Sequence, residues 1–315
     1  MATNNKYIAV PSTYATSPNA HIRISNHPGT AKGVTPIQIA TLNRPDKLNA
    51  ITIDMINDLT RFVSTINVDD RVKVVIVTGA GKAFSAGIDL SNDTSQFNKA
   101  PATEARDPGG WLALAMYNCR KTIIVAYNGL SVGIGMTSTL AAAIRIAPAK
   151  AEFGFPFSRI GLTMESCSSF FLPRMVGHSK ATYLLATGKR FPAESQLLDG
   201  IFAELVPEPQ DIMPKAISIA EDLLENVSTT ATHLNRQLIW RGEDSAEKAH
   251  LVDSPLLVDQ FASNDHLEFK KAFFEKRKPI FKDTINENAP RTYPWWTEWS
   301  ILGPAKAQKS SNPRL

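Results

Sequence analysis

The run Val74-Val75-Ile76-Val77, inside the longer segment 72–78, constrains this chain more than any other feature. Consecutive β-branched residues with no polar alternation form a strand only where apolar cover lies on both faces. That requirement implies a layered α/β core with a largely parallel sheet. The flanking patterns agree. Residues 54–63 carry helical apolar spacing. Residues 123–144 carry no charge, yet Asn128, Ser131, Thr137, Ser138, Thr139 and Gly129, Gly133 and Gly135 make them too polar and too broken for a membrane span. They are predicted to form a buried strand over 123–127, a glycine turn, and a buried helix over about 136–143. A further strand is expected over 144–147. Alternation over 21–25 and 37–42 predicts two paired strands about the Pro28-Gly29 turn.

A chain of 315 residues supports a substantial core. Its net charge of +4, with dispersed basic residues, argues against nucleic-acid binding but permits a basic pocket for an anionic group. Cys119 and Cys167 are the only cysteines, and the histidines form no His-x-x-x-His pair, so neither a disulfide framework nor a zinc site is expected. Residues 1–19 lack the apolar core of a secretory signal. Polar residues 93–110, with Pro101 and Pro108, are expected to form a mobile loop over the pocket. From Pro214 the pattern turns helical, with Ala216, Ile217, Ala220, Leu223, Leu224 and Val227 on one face. The organisation read from these shifts is a flexible N-terminus (1–20), an α/β core (21–210), a helical region (211–283) and a tail (284–315) bearing Trp295, Trp296 and Trp299.

Glu165 is the one carboxylate in the run Gly161-Leu162-Thr163-Met164-Glu165-Ser166-Cys167-Ser168-Ser169. Upstream stand two glycine loops, Phe84-Ser85-Ala86-Gly87-Ile88-Asp89 and Asn128-Gly129-Leu130-Ser131-Val132-Gly133-Ile134-Gly135. Turns that aim backbone N–H groups at an oxygen, beside an isolated carboxylate in apolar surroundings, are the parts needed for proton transfer next to a carbonyl. Read alone, Glu165 is equally at home in the first turn of a helix, where the macrodipole favours it. Gly79-Ala80-Gly81-Lys82 is not a phosphate-binding P-loop, because Ile76 stands where the first glycine belongs and Ala83 where Ser or Thr belongs.

These segments sit in a larger pattern. Leu42-Asn43-Arg44-Pro45, Lys47-Leu48-Asn49-Ala50 and the stretch from Val74 to Leu90 resemble the enoyl-CoA hydratase/isomerase (crotonase) family. The likeness continues through Asn128-Gly129, Phe153-Gly154-Phe155-Pro156, Leu172-Pro173-Arg174, Thr187-Gly188-Lys189-Arg190 and Phe273-Phe274-Glu275-Lys276-Arg277, over about residues 35–282. The resemblance implies an α/β crotonase-like spiral of β-β-α turns, with a C-terminal helical region that packs a homotrimer or a dimer of trimers.

It also implies an acyl-CoA substrate, coenzyme A being part of that substrate and no separate cofactor being needed. The thioester oxygen would be held by the N–H groups of Ile88 and Ile134, and Glu165 would be the catalytic residue. The coenzyme A and substrate contacts would come from Lys47, Lys82, Phe84, Ser85, Ala86, Gly87, Asp89 and Gly133, with Arg44 a further phosphate partner. Hydratases of this family use two glutamates, at positions where this chain has Thr137 and Phe157. Glu165 instead falls where the peroxisomal Δ3,Δ2-enoyl-CoA isomerase branch carries its single glutamate, which makes isomerisation the first expectation. A hydratase or dehydratase of a specialised biosynthetic pathway is the alternative, and a non-catalytic acyl-CoA-binding subunit a third. Pro313-Arg314-Leu315 resembles the tripeptide read by the peroxisomal import receptor, so a peroxisomal address is expected.

Overall fold

The structure, a computed structural model, describes residues 8–91, 105–297 and 299. Strands β1 (Ile22–His27) and β2 (Ile37–Leu42) pair antiparallel, from Ile22 opposite Leu42 to His27 opposite Ile37. Helix α1 (Ile53–Val68) follows, its N-terminus capped by the Thr52 hydroxyl, which accepts from the Met55 N–H. Met55, Ile56, Leu59, Phe62, Val63 and Ile66 form its buried stripe.

Three successive strand-strand-helix turns then wind the chain forward. They are β3 (Val74–Gly79), β4 (Ala83–Ser85) and α2 (Pro108–Asn118); β5 (Thr122–Ala126), β6 (Leu130–Val132) and α3 (Ile134–Thr137); β7 (Ile144–Pro148), β8 (Glu152–Gly154) and α4 (Ser168–Val176). The first strand of each turn joins a six-stranded sheet ordered β1-β2-β3-β5-β7-β10, and the second joins a four-stranded sheet ordered β4-β6-β8-β9. Helix α5 (His178–Thr187), β9 (Arg190–Pro192) and β10 (Glu204–Val206) complete the core. Beyond it run α6 (Ile212–Asn226), α7 (Thr229–Arg241), α8 (Ala246–Phe261), α9 (Asn264–Phe274) and the short α10 (Ile285–Asn288).

The unbroken apolar run of β3 is explained by this layering. Val75 and Val77 face the main core together with α1 and α2, while Val74 and Ile76 face a second cluster closed by Ile212, Ala216 and Ala220 of α6. Of the face expected on α6, Leu224 is instead exposed, and Val227 lies past the helix end as its C-cap. No helix among the described residues is long and apolar enough to cross a membrane.

Two expected elements differ. The helix predicted over 136–143 closes as α3 after Thr137 and continues only as turns. The hydroxyls of Thr137, Ser138 and Thr139 each bond the carbonyl four residues back, and the backbone tightens into i→i+3 bonds such as Thr139 N–H to Met136 O and Ala142 N–H to Thr139 O. The loop expected over 93–110 lies mostly outside the described residues. Its last residues, from Pro108, are the first turn of α2, with Asp107 as N-cap and Pro108 at the first helical position.

Candidate active site

Glu165 lies between the 3-10 turn Pro156–Ile160 and α4, and the chain bends sharply around it. Ser166 and Cys167 both adopt φ of 56°, a left-handed conformation costing a non-glycine residue of order 1 kcal/mol. That bend is held by the Ser168 N–H, which donates to the Glu165 carbonyl at 2.9 Å. Glu165 Oε1 accepts from the Thr137 hydroxyl at the end of α3, and Oε2 accepts from the Ser166 hydroxyl. Asp107 reaches the same place from α2. Its Oδ1 accepts from the Gly110 N–H at 2.6 Å and from the Ser166 N–H at 3.3 Å.

Gly109 completes the pocket floor. A Cβ there would run into Ser166 Oγ and Glu165 Oε2 and lie 3.0 Å from Ile134 Cδ1, so a larger residue would displace the Ser166 and Glu165 side chains. The first turn of α2, the end of α3 and the bend before α4 thus converge on one carboxylate. Burial pushes that carboxyl from its ordinary 4.5 up to about 7. Hydrogen bonds from Ser166 and Thr137 pull against the rise, and the charge of Asp107 adds to it.

The two glycine loops stand side by side at the ends of neighbouring strands β4 and β6. Gly87 has φ of 94° and Gly133 of 54°, and a Cβ on Gly133 would lie 3.9 Å from Gly87 Cα. The Gly87 carbonyl and the Asp89 N–H both bond Ile51, at 2.8 and 2.9 Å, so the intervening Ile88 N–H points away from that bridge. Ile134 is the first residue of α3, where a helix leaves its N–H groups without an internal acceptor. Both N–H groups are therefore available to an oxygen, and the Ile134 side chain is buried beside Gly109.

The expected coenzyme A contacts divide. Lys47 and Lys82 are exposed on adjoining loops. Those loops are tied by Asn49, whose Nδ2 donates to the Ala80 and Ala83 carbonyls at 2.8 Å each, and they leave two cations at one edge. Ala86 is partly exposed between them and Gly87, its N–H donating to the Leu48 carbonyl at 2.9 Å.

The side chains of Phe84 and Ser85 face inward instead. Phe84 packs edge-on to Tyr127 with ring centroids 4.7 Å apart, and Ser85 Oγ donates to the Asn49 carbonyl at 2.9 Å. Both are buried and support the loop from within. Arg44 is likewise committed, donating from Nη1 to Asp89 at 2.7 Å and to the Ala50 carbonyl at 2.7 Å. Ser91 and Arg44 hold the Asp89 carboxyl well below the usual carboxylate range, so Asp89 organises this loop rather than meeting an anion.

Asp107, Gly109 and Ser166 were not legible as site residues. The Asp-Pro-Gly-Gly start of α2 was the available signal, since an N-cap followed by proline announces a helix there. Among the described residues, no group of three or more His, Cys, Asp and Glu could hold a metal ion.

Comparison with known proteins places these features in context. The profile of the enoyl-CoA hydratase/isomerase family matches residues 31–284. The chain is 42% identical over 253 residues to the enoyl-CoA hydratase ACTT3 of Alternaria alternata, covering 80% of this chain and 85% of that protein. It is 31% identical over 257 residues to the mevalonyl-coenzyme A hydratase SIDH of Beauveria bassiana, covering 79% and 92%. Among solved structures, Pseudomonas aeruginosa DspI superposes with a TM-score of 0.73 at 26% identity, over 85% of this chain and 99% of that one. A probable enoyl-CoA hydratase/isomerase from Mycobacterium abscessus does so with 0.71 at 28%, over 79% and 96%.

Proposed function

Because this chain belongs to the enoyl-CoA hydratase/isomerase family, we propose that it adds water to, or removes it from, the C2–C3 double bond of a 2-enoyl-CoA, with Glu165 as its single acid–base. The observation that carries this reading is one buried carboxylate, poised near neutrality, bonded by Thr137 at the end of α3 and packed against Gly109 at the start of α2. Glu165 takes a proton from water as the water oxygen bonds C3. The electron pair of the double bond moves onto the thioester oxygen, which the Ile88 and Ile134 N–H groups stabilise by about 3 kcal/mol each. The enolate then collapses and C2 takes the proton back from Glu165. One water is consumed and the carboxylate is restored. The 42% identity to a protein named an enoyl-CoA hydratase supports hydration over the isomerisation first expected from the sequence.

A second reading retains one specific observation. Thr137 occupies the position where the resemblance puts a hydratase glutamate and donates its hydroxyl to Glu165, while Phe157, at the other such position, is buried. A lone carboxylate can equally carry a proton from C2 to C4 of a 3-enoyl-CoA dienolate. Incubation with 2-enoyl-CoA and 3-enoyl-CoA in 18O-labelled water separates the readings. Hydration yields an 18O-labelled 3-hydroxyacyl-CoA, whereas isomerisation interconverts the enoyl-CoAs without label. Tight binding with no turnover of either would sink both in favour of a non-catalytic acyl-CoA binder. The proposal extends to assembly as a trimer and to import into peroxisomes through Pro313-Arg314-Leu315, which lies outside the described residues.

A further inference from the structure

Helix α2 delivers Gly109 to Glu165 at its first turn, yet its last turn carries no basic residue to complement the helix dipole. That function is supplied from α7. Arg236 donates from Nη1 to the Cys119 carbonyl at 3.1 Å and from Nη2 to the Met116 carbonyl at 3.0 Å. Gln237 donates to the Tyr117 carbonyl at 3.2 Å, and Arg241 to Asn118 Oδ1 at 2.6 Å. The carbonyls a helix leaves open at its C-terminus are thus satisfied by a neighbouring helix.

The same Arg236 Nη2 also donates to the Ala141 carbonyl at 2.8 Å, at the end of the turns that continue α3. One guanidinium therefore joins the far ends of the two segments that meet Glu165 through Gly109 and Thr137. The third segment is fixed on the same helix. Trp240 of α7 packs on Phe171 of α4 with ring centroids 5.2 Å apart, and Tyr117 of α2 packs on Phe171 at 5.5 Å.

Helix α7 is held in turn by residues past the end of the family match at 284. Trp295 Nε1 donates to the Arg241 carbonyl at 3.4 Å, the Arg241 guanidinium lies 4.3 Å over the Trp296 ring, and Tyr293 bonds His233 at 3.0 Å. We propose that α7 is a clamp that sets the geometry of the catalytic pocket from behind, with Arg236 as its positioning residue. The three carbonyls on two segments are met from two nitrogens of one rigid plane, a spread that the single nitrogen of an ammonium group does not reproduce.

This inference rests on the hydration reading only for its kinetic readout, so the test has two arms in the full chain. In the first, Arg236→Met and Arg236→Lys should lower kcat by roughly 10- to 100-fold, the scale of a small misplacement of catalytic groups, with KM changed less than about threefold. Guanidinium ions added to Arg236→Ala at millimolar concentration should restore part of kcat. In the second arm, Glu165 is titrated by carboxyl 13C NMR, which needs no turnover. Loosening the clamp admits water and should move that titration down from about 7; loss of a positive charge alone would move it up. Variants that lose only thermal stability, with kcat and the Glu165 titration as in the parent, overturn the clamp. Should the parent itself fail to hydrate 2-enoyl-CoA, the hydration reading falls while the NMR arm still decides the clamp. If Arg236→Met does not fold, Arg236→Lys, which keeps the charge and stem, carries both arms.

Discussion

At the scale of the residue, the surroundings of Glu165 disagree about its charge, burial raising its pKa while Ser166 and Thr137 lower it. Glu165→Gln should lower turnover at least about 100-fold while leaving acyl-CoA affinity nearly intact, which steady-state kinetics and a binding titration together check. With the carboxyl near 7, kcat/KM should rise with pH through that value as the base form appears. Thr137→Val removes a donor that favours the ionised form and should move this limb to higher pH, whereas Asp107→Asn removes a repelling charge and should move it lower. The same shift bears on stability. Between about 4.5 and 7 the folded chain binds more protons at Glu165 than the unfolded chain does, so stability falls as pH rises across that window. Glu165→Gln should therefore be the more stable protein above pH 7, by about 1–3 kcal/mol, and show no such gain below pH 4.5, as thermal unfolding at both ends will reveal. Glu165, Gly87 and Gly133 could be read from the sequence because each is an exception in its own neighbourhood. Asp107 and Ser166 could not, since the N-cap signal at Asp107 announces a helix and not a site, and only the packing of α2 against the Glu165 bend brings the two together.

Among the elements, α3 has the most to reveal. Its first residue, Ile134, stands at the one helical position where proline is well tolerated. Ile134→Pro therefore removes the N–H with little disturbance to the helix and should cost on the order of 100-fold in kcat. Ile134→Gly keeps the donor and should cost far less; equal losses would mean that the side chain beside Gly109 matters more than the N–H. The strands β2, β3, β5 and β7 were legible because burial on one or both faces writes itself directly into apolar pattern. The length of α3 was not, because hydrophobicity continues through 140–143 while three hydroxyls in succession turn the backbone away from helix. The start of α2 was misread for the opposite reason: its glycines look like loop, but one of them lies directly against the Glu165 carboxylate.

For the molecule as a whole, the exposed apolar side chains of α8 and α9 demand cover. Leu251 is 74% exposed and Phe274 81%, with Phe261, Phe269 and Phe273 between them in sequence also exposed. If these helices seat a second and third copy, light scattering should give the mass of three chains, and Phe273→Asp with Phe274→Asp should give one. A fluorescent protein bearing the last ten residues should collect in peroxisomes and return to the cytosol when Leu315 is removed; a diffuse signal from the intact fusion rejects the address and leaves the chemistry untouched. The adjacency of Gly87 and Gly133 has a consequence for substitution. The two turns sit at the ends of neighbouring strands of one parallel ladder, so a thioester oxygen held there as proposed would depend on the strand register and on no particular side chain. Under that reading, exchange of Ile88, Ile134, Thr137 or Phe157 would reshape the substrate space or add a second carboxylate without removing either backbone donor.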